Sequence, residues 1–112
     1  MKINSKEQQG VQVVEVSGDI DFHTSRDLRE KFQQILNNKG AKLLVNLKKV
    51  NYIDSSGLAT FVEALQHVKQ SGGKLVLVGL APAVRGVFEI AKLDSIFSLS
   101  DSEEKALLTL SQ

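Results

Sequence analysis

Between Leu43 and Val78 the chain reads as an apolar run, an amphipathic stretch and a second apolar run, an order few architectures accept. Lys42 to Leu47 is short and rich in Leu and Val, which predicts a strand buried on both faces, with Val50 to Ile53 extending beyond it. A helix is expected from about Ser55 to Gln70, with Leu58, Phe61, Val62, Leu65 and Val68 on its inner stripe. Ser71-Gly72-Gly73 ends it, and Leu75 to Val78 is the next buried strand. Such a strand–helix–strand unit crosses over right-handedly and lays its two strands parallel.

The flanking segments extend the pattern. Val11 to Ser17 predicts a strand with Val11, Val13 and Glu15 on one face and Gln12, Val14 and Val16 on the other. Polar Lys2 to Gln8 can pair with it as an edge strand, turning near Gln9-Gly10. Thr24 and Asp27 have capping-box spacing before a helix whose stripe is Leu28, Phe32, Ile35 and Leu36. Asn37-Asn38-Lys39-Gly40 stops that helix, with Gly40 suited to a left-handed closing position. Pro82 opens a third helix with Val84, Val87, Phe88 and Ala91 inward. Ser95 to Leu99 reads as a last short strand, and Asp101 or Ser102 as the cap of a helix carrying Ala106, Leu107 and Leu110. The expectation is an α/β fold, its central sheet mixed but mostly parallel, with roughly four to five strands and about four helices.

Composition narrows the function. A chain of 112 residues forms one domain, 1–112, hiding roughly two-thirds of the surface its unfolded form exposes. Lys plus Arg is 14 and Asp plus Glu is 13, a net charge of +1 that argues against nucleic-acid binding. There is no cysteine, hence no disulfide, thiol chemistry or structural zinc site. No apolar run approaches the roughly 18 residues of a membrane span, and the first ten residues lack the core of a signal peptide. A cytoplasmic domain is expected, a monomer without direct membrane contact.

The catalytic inventory is thin. His67 falls beside the apolar stripe and points to solvent. Asp54-Ser55-Ser56-Gly57 stands where a nucleophile elbow would, but lacks that motif's first glycine, and no histidine follows His67. Gly72-Gly73-Lys74 is not a phosphate loop, because its earlier glycine would be Val68 and the glycines follow a helix. Asp19, Asp21 and His23 alternate as metal ligands might, yet they read better as loop and cap residues. No enzyme activity and no cofactor are expected.

The informative junction is Val50 to Leu58, where a buried strand runs into a helix at the carboxyl end of the sheet. Asp54, Ser55 or Ser56 can each cap that helix. Two serines and a glycine exceed what one cap requires. Gly57 in the first helical turn costs about 1 kcal/mol against alanine, which close approach of another molecule would explain.

With its flanks, this junction resembles the STAS domain of anti-sigma factor antagonists, over nearly the whole chain. Gly18-Asp19-Ile20-Asp21 matches that family's G-x-[LI]-D, with Thr24 where its first helix is capped. Asp54-Ser55-Ser56-Gly57-Leu58 matches D-S-[ST]-G-L, and Gly72-Gly73 and Ala81-Pro82-Ala83-Val84 leading to Phe88 match its second half. Ala59 departs from the glycine many relatives carry. The resemblance implies Ser55 as phosphate acceptor and a partner face of Asp21, His23, Thr24, Asp54, Ser55, Ser56, Gly57, Leu58 and Ala59. On that face Asp21 either orients its loop or meets a basic residue of the partner.

The resemblance also implies a cycle. The unphosphorylated protein binds an anti-sigma factor that is also an ATP-dependent serine kinase, and so frees the sigma factor. Phosphorylation of Ser55 ends that complex, and a metal-dependent phosphatase resets it. The alternative is a STAS subunit that holds a partner within a membrane transport assembly.

Overall fold

The hydrophobic alternation of the central strands produces two cores of unequal size, one on each face of a sheet. A computed structural model of the chain describes residues 1–37 and 39–112. In chain order its elements are β1 (Lys2–Gln8), β2 (Val11–Ser17), α1 (Ser25–Ile35), β3 (Lys42–Lys49), α2 (Ser55–Gln70), β4 (Lys74–Val78), α3 (Pro82–Ile90), β5 (Ser98–Ser100) and α4 (Glu103–Ser111). The strands lie in the order β1-β2-β3-β4-β5. β1 runs antiparallel to β2, and every later pairing is parallel.

Register sorts the side chains. Val14 pairs with Val45, Val45 with Leu77 and Leu77 with Leu99, one transverse row facing α1, α2 and α3. The neighbouring row, Val13, Leu44 and Val76, faces Ala106, Leu107 and Leu110 of α4. Covering both faces explains the unbroken apolar runs Leu43–Val45 in β3 and Leu75–Val78 in β4. A chain of aromatic contacts crosses the larger core: Phe32 to Phe61 at 5.6 Å, Phe61 to Phe88 at 6.1 Å and Phe88 to Phe97 at 5.5 Å. The β1–β2 hairpin closes on Gln9 (φ 55°) and Gly10 (φ 75°), both left-handed, as a two-residue turn requires.

Several local expectations need correction. Thr24 has helical backbone angles and makes no side-chain cap bond, so Thr24 and Asp27 form no capping box. Val50 to Ile53 does not prolong β3. The Val50 amide bonds back to the Leu47 carbonyl at 3.0 Å, which turns the chain, and only Ile53 pairs again, with Ile20. β5 begins at Ser98 because the Ile96 and Phe97 amides bond to the Leu93 carbonyl and hold that stretch in a turn. Ala91 is the exposed C-cap of α3 rather than an inner residue. In the expected stop of α1, Asn38 lies outside the described residues, while Gly40 has the left-handed φ of 72°.

Gly72-Gly73 proves structural. Gly72 has a φ of 77°, and a side chain at Gly73 would run into the Ala41 carbonyl where β3 and β4 begin. No helix is long and apolar enough to cross a membrane among the described residues.

Candidate functional site

Two segments distant in sequence are laced together beyond the carboxyl ends of β2 and β3. Gly18 N–H donates to the Lys49 carbonyl at 3.0 Å, Ile20 N–H to Tyr52 at 2.9 Å, and Asp54 N–H to Ile20 at 3.1 Å. Ile20 and Ile53 form the single bridge between them, and both are buried. The loop before α1 is thereby fixed against the start of α2.

Asp54 is the residue that caps α2. Its backbone is extended, and its Oδ1 accepts from the Ser56 amide at 2.9 Å and the Gly57 amide at 3.1 Å. The Ser56 hydroxyl also donates to that oxygen. Ser55 takes no part in these cap bonds and is exposed at the first helical position, whereas Ser56 is half-buried. The two serines therefore differ physically: one hydroxyl belongs to the cap and the other faces outward.

Across the lacing, Asp21 organises the turn into α1. Its Oδ1 accepts from the His23 amide at 2.9 Å and the Thr24 amide at 3.0 Å. Thr24 Oγ1 accepts from the Asp21 amide and donates to the Asp19 carbonyl, both at 2.9 Å. Thr24 thus closes the loop onto itself, which leaves its hydroxyl unavailable to the helix. This accounts for the missing capping box. Asp19, Asp21 and His23 lie in the loop before α1, where Asp21 accepts amides of the turn while Thr24 stands at the N-cap position.

Both carboxyl groups are held below the ordinary aspartate value of 3.8. For Asp54 the Ser56 hydroxyl is the main cause, joined by the amides of Gly57, Ser56 and Phe22, against an opposing effect of burial. For Asp21 the Thr24 amide leads, opposed by desolvation and helped by the Thr24 hydroxyl and the His23 amide and charge. A carboxylate lowered in the fold contributes stability that is complete above about pH 4 and lost as pH falls through the folded-state value. The acid limb of stability should therefore flatten in Asp54→Asn, which keeps a capping oxygen without the titration. Asp54→Ala should lower stability at pH 7 by about 1 kcal/mol. Thermal midpoints of the three proteins at neutral and acid pH check both expectations.

Gly57 is explained from within. A Cβ there would lie 2.7 Å from Ile20 Cγ2 and 2.7 Å from Ile53 Cγ1. The close approach that excludes a side chain is made by the chain's own lacing residues, not by a second molecule. Gly57 and Leu58 are both buried, with Leu58 keeping 9% exposure. His23, Ser55 and Ala59 are exposed, and Asp21, Thr24, Asp54 and Ser56 are half-buried around them.

Two residues on this surface carry no periodic signal. Phe22 is 76% exposed and Tyr52 is 52% exposed. A large apolar side chain in the loops flanking Asp54-Ser55 was the available clue, since neither belongs to any helix or strand stripe. Phe22, but not Tyr52, lines a concavity between the starts of α1 and α2, together with His23, Ser25, Arg26, Asp27, Arg29 and Ser56.

Comparison with known proteins supplies the wider setting. The STAS domain family matches residues 2–106. The anti-sigma-B factor antagonist of Bacillus subtilis is 35% identical over 104 residues, covering 93% of this chain and 94% of that protein. The anti-sigma F factor antagonist of Paenibacillus polymyxa is 27% identical over 98% of this chain and 95% of its own length. The crystal structure of an anti-sigma factor antagonist from Mycobacterium paratuberculosis superimposes with a TM-score of 0.89 at 25% identity, covering 99% of this chain and 94% of that one.

Proposed function

Because this chain belongs to the STAS-domain family, we propose that it is an anti-sigma factor antagonist that works by exchange of partners. Unphosphorylated, it binds an anti-sigma factor that is also an ATP-dependent serine kinase, and so releases the sigma factor. Phosphorylation of Ser55 by that kinase ends the complex, and a metal-dependent phosphatase restores it. The chain is then a binding module and a phosphorylation substrate of the cytoplasm rather than an enzyme.

One observation carries the choice of Ser55: it stands exposed at the first position of α2, outside the cap that holds Ser56 to Asp54. A kinase can reach that oxygen without opening the helix. The partner face is then Asp21, His23, Thr24, Asp54, Ser55, Ser56, Gly57, Leu58 and Ala59, with Gly57 and Leu58 its most buried members.

The test is a pull-down from the host lysate with Ser55→Ala and Ser55→Asp as baits, read by mass spectrometry. Retention by alanine, and loss by aspartate, of a small ATPase of the histidine-kinase type is the expected outcome. If both baits hold the same transporter component, the membrane-assembly reading replaces this one.

A further inference from the structure

We infer that Arg26 selects the protein partner by pairing with an acidic side chain on it, with Phe22 as the apolar anchor beside that contact. The inference rests on the functional reading above and names a determinant that reading leaves open. Arg26 and Phe22 line the same concavity as Ser56, the residue that follows the proposed acceptor Ser55 along α2. Both are exposed, Phe22 by 76%.

The charges on this rim are not equally free. Asp21 and Asp54 give the face an acidic look, but each carboxylate already accepts two backbone amides of its own chain. Arg29 is paired with Glu63 at 3.3 Å. Arg26 has no ion-pair partner among the described residues, although Asp27 is its neighbour along α1 and lines the same hollow. Asp27 is likewise without an ion pair among the described residues, so Arg26 is the unpaired cation of this rim rather than its one unpaired charge.

A guanidinium offers a planar fork of donors that fits a carboxylate through two parallel bonds. The Phe22 and His23 rings stand at 81° to one another with centroids 5.7 Å apart, and Phe22 remains largely exposed. Arginine and large aromatic residues are the types that most often dominate binding energy at interfaces. The fitting occupant is a partner segment with an Asp or Glu next to an apolar side chain.

The experiment titrates the purified anti-sigma factor of the host against wild type, Arg26→Glu, Arg26→Lys and Phe22→Ala by calorimetry. Arg26→Glu should weaken binding about 30-fold or more, Phe22→Ala about 10- to 30-fold, and Arg26→Lys should fall between wild type and glutamate. Thermal midpoints should stay within about 2 °C of wild type, since surface changes of this kind scarcely alter folding. Replacing the matching acidic residue of the partner by arginine should restore most of the affinity lost in Arg26→Glu. Binding of Arg26→Glu within about threefold of wild type, while Ser55→Asp still loses the partner, overturns this inference alone. Failure of wild type and Ser55→Ala to bind at all overturns the functional reading and this inference with it.

Discussion

Phe61→Ala should lower folding stability by about 3–5 kcal/mol, close to the whole stability of a marginal domain. Phe61 is fully buried at the centre of the aromatic chain, with Phe32 on one side and Phe88 on the other. Truncation removes its own burial and leaves a cavity that α1, α2 and α3 cannot all close, because each is also anchored to the sheet. Two tilted ring contacts are lost as well, each worth roughly 0.5–1.5 kcal/mol. Urea unfolding should show a lower midpoint at unchanged slope. Phe61→Leu, which refills most of the volume, should recover more than half of the loss.

Phosphorylation of Ser55 should have the opposite profile: almost no effect on folding and a large one on binding. The added group carries about −1.5 to −2 charges, taking the domain from +1 to roughly −1. A negative charge at a helix start is favourable in general. Here the gain is reduced, because Asp54 already occupies the amides of Ser56 and Gly57 and is itself ionised at neutral pH. Ser55 is exposed and touches neither core, so the thermal midpoint should move by only a few degrees, the equivalent of about 1 kcal/mol. Affinity for the anti-sigma factor should fall about 30- to 150-fold, or about 2–3 kcal/mol. Far-ultraviolet circular dichroism and calorimetric titration of the two forms measure both halves. A large loss of helix on phosphorylation would show that the switch acts by unfolding instead.

The architecture was legible because burial writes a period into the chain. The limits of α2 and the inward residues of α1, α2 and α4 follow from apolar spacing, and the polar edge strand from its contrast with Val11 to Ser17. Errors gathered where backbone bonds rather than periodicity decide. Val50 is apolar and buried, as a strand residue would be, yet its amide closes a turn. Thr24 has the composition of a cap, but its hydroxyl is committed to the loop behind it.

At the site, spacing located the junction without distinguishing the serines. Which hydroxyl Asp54 would take depends on the direction in which the chain enters α2, and no local pattern records it. Gly57 is the clearest case of a correct position with the wrong cause. A sequence shows that something comes close to a glycine, but not whether it belongs to the same molecule. Phe22 and Arg26 leave no such signal, because a residue outside every stripe looks the same whether it faces solvent or a partner.

The lacing of Ile20 to Ile53 has a consequence for the cell. The surface around Ser55 is assembled from two separate stretches of chain, so neither stretch alone constitutes it. Nascent, unfolded or proteolysed copies lack this discontinuous surface, so under the proposed function they would not compete for the partner. The regulatory signal would then count only properly folded molecules, which would make quality control of the protein part of the fidelity of the circuit.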